Sequence, residues 1–349
     1  MKTSLAFAAS IALTFPLRAQ QPAPQPDPQM KAVLDELASL GGKPLETLSP
    51  EEARKQPTPA DAATKIAKRE NKKVPEPVGD VDNTSISLGD HSVKVRAYTP
   101  KGDGPFPVIL YVHGGGWVIA DLDTYDATPR ALSNSVGAIV VSTHYRQAPE
   151  NKFPAAHEDV FGVYQAVVKN DWQRNYDSKR IAVVGESAGG NMAVAICLMA
   201  KERGTMLPLH QVLVYPVADA TDTNTPSYQE NADAKPLNRA MMGWFSGHTL
   251  ANPDDAKNPL LSIAFAGDAL KGLPPATIVN AQIDPLRDDG EKLAKAFTEA
   301  GVKVNRKIYE GVAHEFFGMA AVVDKAQEFA TAELLAAFRQ PAVVGEQTK

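Results

Sequence analysis

The stretch Ile181-Ala182-Val183-Val184-Gly185-Glu186-Ser187-Ala188-Gly189-Gly190-Asn191 sets the reading of the whole chain. Its apolar run Ile181–Val184 reads as a buried strand, and Ala188–Lys201 reads as a helix. Between them, G-x-S-x-G places Ser187 on a sharp strand-to-helix turn. Glycines permit the close backbone approach that such a turn needs. The helix N-terminus then faces negative charge developing at the serine. As a bare pattern G-x-S-x-G is common by chance. The strand before it and the helix after it mark Ser187 as a candidate nucleophile.

A serine hydroxyl is a weak nucleophile and needs a base. At an elbow of this kind the acid and then the histidine follow the serine in chain order. His210, His248 and His314 all follow Ser187. His210 opens an apolar run that reads as a strand, and His248 lies in an irregular segment. His314 follows the expected last strand, Val304–Tyr309, by a short glycine-containing loop, and is the candidate base. Asp284 follows the strand Thr277–Asn280, which puts a carboxylate on the same sheet edge as the elbow. It is the candidate for fixing the imidazole tautomer. Asp288 and Asp289 are its rivals, although acids are common in the first turn of a helix for dipole reasons alone.

A third element is His113-Gly114-Gly115-Gly116-Trp117, after the strand Val108–Val112. Backbone N–H groups of Gly115, Gly116 and Ala188 are the candidate oxyanion hole. A phosphate loop is the alternative, but no G-K-[ST] follows. His113 precedes the nucleophile and reads as structural.

Further out, Thr84–Leu88 and Val93–Tyr98 alternate around Gly89-Asp90 and read as a hairpin. The short apolar runs Val108–Val112, Ala138–Val141, Ile181–Val184, Val212–Val217, Thr277–Asn280 and Val304–Tyr309 follow. Expected helices lie at Asp126–Ser135, Ala155–Lys169, Ala188–Lys201, Asp288–Ala300 and Lys325–Phe338. Continuous apolar strands joined by helices imply an α/β fold: a mostly parallel, doubly wound sheet entered through an antiparallel hairpin.

Two regions break the rhythm. Residues 28–76 contain short helical patterns, one opened by Ser49-Pro50-Glu51-Glu52, and read as N-terminal cap helices. Residues 219–273 are too long for a simple connection and read as a second cap segment. They hold the apolar cluster Met241-Met242-Gly243-Trp244-Phe245. Those side chains, with Trp117, either line a pocket or pack cap against core. The remaining divisions are a signal peptide at 1–19, a linker at 20–27, the catalytic domain at 77–340 and a tail at 341–349. Lys2 followed by the apolar run Leu5–Phe15 is the export signature, and the run is too short to span a bilayer comfortably. The expected location is periplasmic or extracellular, with no stable membrane insertion after cleavage.

Composition narrows the field. The chain has 349 residues and a net charge of −5, which argues against a general nucleic-acid binder. Its single cysteine, Cys197, excludes an intrachain disulfide and any multi-cysteine metal centre. It reads as a buried thiol on the helix that the elbow opens.

Taken together, His113–Gly116 with Trp117, Tyr145-Arg146-Gln147-Ala148-Pro149-Glu150, Gly185–Gly190 with Asn191, Asp284-Pro285-Leu286-Arg287-Asp288 and His314 resemble the hormone-sensitive-lipase-like α/β hydrolases, the bacterial family IV esterases. The resemblance runs from about Pro28 to Phe338. It implies an α/β-hydrolase fold with a helical cap from both irregular regions. It also implies hydrolysis of small carboxylic esters through Ser187, Asp284 and His314, with no metal or organic cofactor. Gly115 and Gly116 match the family's oxyanion glycines. Three positions depart from the pattern. Glu186 stands where the family usually has Asp or Thr, Gln147 where Leu is usual, and Glu315 where Gly is frequent. Arg146 and Glu150 are expected to pair with each other, and Glu315 either biases the His314 imidazole or, the favoured reading, points to solvent. A cap suggests a bounded pocket and short- to medium-chain esters. A peptidase or amidase on the same fold, or a non-catalytic receptor, are the alternative functions. Homodimerisation is left open.

Overall fold

Eight strands form one sheet in the computed structural model, which describes residues 24–172 and 174–339. The strands are β1 (Asp80–Ser87), β2 (Ser92–Thr99), β3 (Phe106–Val112), β4 (Ile139–His144), β5 (Tyr176–Glu186), β6 (His210–Val214), β7 (Ala276–Ile283) and β8 (Val304–Ala313). Their order is β1-β2-β4-β3-β5-β6-β7-β8. β1 and β2 pair antiparallel, as do β2 and β4, and every later pairing is parallel. The expected export signal and the C-terminal tail lie outside the described residues, as does the linker before Pro24.

The helices are α1 (Pro28–Ser39), α2 (Pro50–Ala53), α3 (Pro59–Arg69), α4 (Ala127–Val136), α5 (Ala155–Lys169), α6 (Ala188–Glu202), α7 (Pro226–Glu230), α8 (Arg239–Thr249), α9 (Arg287–Glu299) and α10 (Glu328–Arg339). Alternate residues of each strand feed two cores. On β3, Val108, Leu110 and Val112 join the side chains of α5, α6 and α9. Ile109 and Tyr111 join those of α1, α3, α4 and α10 on the other face. This two-residue period explains why the central strands are apolar throughout: both faces are covered. α6 is buried along its length from Ala188 to Ala200, Cys197 included. That thiol is pushed up by burial and is a packing group.

The sequence places the strands well but overextends β6 by the most. β6 stops at Val214, whereas the apolar run continues to Val217. Tyr215 departs from the strand at φ +36, and the chain turns beside the elbow instead of continuing the ladder.

The N-terminal residues divide between two jobs. Capping boxes at Ser49 and Thr58 fix α2 and α3. α1 and α3 share the core of the sheet, with Met30, Val33 and Ile66 buried beside Phe316 and Phe317. The 3₁₀ turn Leu45–Thr47 instead meets α8. There the Trp244 indole N–H donates to the Leu48 carbonyl at 3.0 Å.

Candidate active site

β5 delivers Ser187 to the sheet edge, and α6 begins immediately after it. Ser187 has φ +57 and ψ −120, a conformation that costs a residue with a Cβ on the order of 1–3 kcal/mol. The surroundings hold it there: its amide donates to the Val214 carbonyl at 2.9 Å. Gly189 lets α6 start against β3, since a Cβ at this position would overlap the Val112 carbonyl. Asn191, one turn on, donates to the Val217 and Leu261 carbonyls at 3.0 and 2.7 Å. Its carbonyl oxygen lies 3.1 Å from His157 Nε2. Helix α6 therefore also anchors the 219–273 segment.

Asp284 and His314 meet at this edge. Asp284 follows β7, is fully buried, and accepts from the Leu286 amide at 2.8 Å. Its other oxygen lies 2.7 Å from His314 Nδ1. Burial works against the imidazolium, but the carboxylates of Asp284, Glu315 and Glu186 together outweigh it, and His314 is raised above its ordinary value. Oriented in this way, Nε2 is the nitrogen left for chemistry.

The rival residues are engaged elsewhere. Asp288 accepts from the Ser227 amide at 2.8 Å, and Asp289 accepts from the amides of Ala218 and Asp219. His210 is buried with its Nε2 2.8 Å from the Thr277 hydroxyl. His248 lies on α8 with its ring against Trp244.

The glycine loop lies beside the serine: a Cβ at Gly114 would be 3.1 Å from Ser187 Cβ. His113 is buried and stacks on Tyr145, with Nδ1 2.8 Å from the Gly114 carbonyl. Burial lowers it to about 3, so it is a neutral structural ring. Tyr145 donates to the Gly114 carbonyl at 2.8 Å and fixes the loop from behind. The Gly115 carbonyl accepts from Val118 and Ile119 at 3.0 and 2.9 Å. The amides of Gly115 and Gly116 make no such bond among the described residues, and Ala188 is the first residue of α6, where amides are free.

A cavity of about 30 Å³ adjoins Ser187. Trp117, Met242 and Phe245 line it, together with Gly116, Val217, Tyr228, Leu250 and Leu261. Trp244 and Met241 do not line it and pack, half-buried, against the core. The sequence left these five open between lining and packing; the fold divides them.

A nucleophile-bearing elbow beside an apolar cavity, with free loop amides and an Asp–His pair at the same sheet edge, can perform acyl transfer. Known proteins agree. A family model described as an alpha/beta hydrolase fold matches residues 109–318. The carboxylesterase NlhH of Mycobacterium tuberculosis is 39% identical over 251 residues, covering 71% of this chain and 78% of that protein. The ethyl acetate hydrolase of Pseudomonas putida is 32% identical over 310 residues, covering 86% and 95%. The solved hyperthermophilic esterase from Pyrobaculum calidifontis superposes with a TM-score of 0.80 at 33% identity, covering 90% of this chain and 98% of that one. The chain belongs to the hormone-sensitive-lipase-like α/β hydrolases.

Two carboxylates of this hydrolase, both departures from the family pattern, lie close to the proposed site. Glu186 is fully buried and accepts from the hydroxyls of Tyr111 at 2.5 Å, Thr128 at 2.7 Å and Tyr215. Burial and the nearby Glu315 push its carboxyl up to about 7. Glu315 does not turn freely to solvent: its side chain is only 23% exposed. It adopts φ +71 at the end of β8, and its carboxylate accepts from the Tyr125 hydroxyl at 2.6 Å. Burial raises it as well. A contact with a tyrosine distant in sequence leaves no local signal.

The expected Arg146–Glu150 pair is also absent. Arg146 binds the buried Asp159 at 2.7 Å. Glu150 takes Arg54 of the hydrolase's N-terminal region at 2.7 Å. Each arginine found a carboxylate presented by another element, which short-range spacing cannot reveal. Gln147 donates to the Ile119 and Ala120 carbonyls at 2.7 and 2.8 Å. It thereby ties its own segment to the turn that follows the glycine loop.

Proposed function

We propose that this protein is a serine carboxylesterase that hydrolyses short- to medium-chain carboxylic esters through an acyl-enzyme. The observation that carries the reading is the 2.7 Å bond from Asp284 to His314 Nδ1 at the sheet edge where the elbow presents Ser187. Ser187 Oγ attacks the ester carbonyl as His314 Nε2 takes its proton. Asp284 holds the tautomer and balances the imidazolium. The amides of Gly115, Gly116 and Ala188 receive the oxyanion. His314 returns the proton to the departing alcohol, and water repeats the sequence on the acyl-enzyme.

The small apolar cavity favours short chains, and the likeness to an ethyl acetate hydrolase points the same way. The residue 45–48 segment and α8, which meet through Trp244, are the cap over this cavity in our reading. The N-terminal pattern from Lys2 to Phe15 supports export to the periplasm or the medium. An ester series of rising acyl length on the purified protein, run beside Ser187→Ala, tests the function. We expect a maximum at short to medium chains and loss of turnover in the variant. Undiminished hydrolysis by Ser187→Ala overturns the mechanism, and a maximum at palmitate overturns the chain-length reading.

A further inference from the structure

The imidazole of His314 has a carboxylate near each nitrogen. Asp284 binds Nδ1 at 2.7 Å, and Glu315 Oε1 lies 3.9 Å from Nε2. The second distance is too long for a hydrogen bond. It is short enough for strong attraction to an imidazolium. A closer approach would occupy the nitrogen that must serve Ser187, and a more distant carboxylate would lose its grip on the charge.

The structure holds Glu315 between those limits. Its Oε1, the atom nearest Nε2, accepts from the Tyr125 hydroxyl at 2.6 Å. Tyr125 is buried, and its hydroxyl is wedged against the glycine loop where a Cβ on Gly114 would overlap it. The hydroxyl therefore has little room to follow a moving carboxylate. We propose that Tyr125 tethers Glu315 at a set distance from His314 Nε2, so that the carboxylate stabilises the imidazolium of acyl transfer without capturing its proton. This rests on His314 being the base.

The other charged and titratable groups around the imidazole are Asp284 after β7 and Glu186 at the end of β5. Tyr215, after β6, lays its ring 4.3 Å from the imidazole and donates to Glu186, not to Glu315. Glu315 itself faces His314, Tyr125, Asp284, Glu186, Tyr145 and Tyr215. With Glu186 satisfied by three hydroxyls, Glu315 is the carboxylate placed to act at Nε2.

The test is the acidic limb of kcat/KM against pH, which reports the free-enzyme base. It is measured for the wild type, Glu315→Gln, Tyr125→Phe and the double variant on one ester. Removing the charge in Glu315→Gln should move the limb to lower pH by on the order of one unit, with a lower plateau. Tyr125→Phe frees the carboxylate to close on Nε2, so its limb should move to higher pH and its rate at neutral pH should fall. The double variant should follow Glu315→Gln, because no carboxylate remains to be released. An unmoved limb in Glu315→Gln overturns the proposal. So does a Tyr125→Phe limb that shifts the same way, or a double variant whose limb is displaced by Tyr125→Phe as well. Stoichiometric labelling by a serine-reactive phosphonate establishes that each variant keeps its site. If Tyr125→Phe does not fold, the Glu315→Gln limb decides, beside Glu315→Asp, which keeps the charge and should stay nearer the wild type. An inactive wild type would refute the base assignment instead, whereas an active wild type with unmoved limbs refutes only the tether.

Discussion

The ring of Phe245, on α8, occupies the space that a Cβ on Gly116 would need. Gly116 also has φ +57, a region that disfavours any other residue here. The glycine loop and the 219–273 segment are thus fitted to one another at the proposed oxyanion hole. Gly116→Ala must move either the loop or the ring. Its kcat/KM for a short ester should fall about 10²–10³-fold, as when an oxyanion donor is lost. Adding Phe245→Ala should recover part of that loss by removing the clash while the backbone strain stays. A double variant no better than Gly116→Ala alone would show that the ring is not the obstacle.

Asp284→Asn keeps the shape of the site and removes the charge that fixes His314. Steady-state kinetics should show kcat lower by about 10⁴ with a nearly unchanged KM. Asp288→Asn should change kcat far less, since that carboxylate serves the Ser227 amide. Equal losses in the two variants would remove the basis for choosing Asp284.

Arg54 should matter more to stability than the salt bridge it makes. Its guanidinium donates to the carbonyls of Val118 and Ala148, each at 2.8 Å, besides pairing with Glu150. The Glu150 side chain is 58% exposed, so Glu150→Gln should cost under about 1 kcal/mol. Arg54→Ala strands two carbonyls and should cost about 2–3 kcal/mol. Urea midpoints of the two variants make the comparison. A larger loss in Glu150→Gln would reverse the assignment.

Glu186 gives the stability a pH dependence. Its carboxyl sits at about 7 in the folded protein against an ordinary 4.5. Between those values the folded state retains a proton that the unfolded chain has released. Raising the pH through this window therefore costs stability. Glu186→Gln removes that cost, so its stability relative to the wild type should grow from pH 5 to pH 8 by up to about 3 kcal/mol. Asp289, also raised to about 7 by burial, adds the same trend to both proteins and cancels in the difference. A difference that shrinks as pH rises would contradict the burial argument. Denaturant unfolding at several pH values measures it.

The sequence by itself determined the sheet and the order of the chemistry. Ile181–Val184, the flanking glycines and the helical run after Ser187 are local signals, because strand, turn and helix are each set by near neighbours. The same holds for the loop at Gly115 and Gly116 and for the strand-end position of Asp284, whereas the loop expected before His314 is strand, since β8 runs on to Ala313. Only the tertiary structure decided which charges meet. Glu315 reaches Tyr125, Arg54 rather than Arg146 takes Glu150, and three hydroxyls from separate elements converge on Glu186. It also decided that Met242 and Phe245 line the cavity while Trp244 turns to Leu48. Such contacts join residues far apart in the chain. They are selected by burial and by the need to satisfy every buried polar group, and no short window of sequence carries that information.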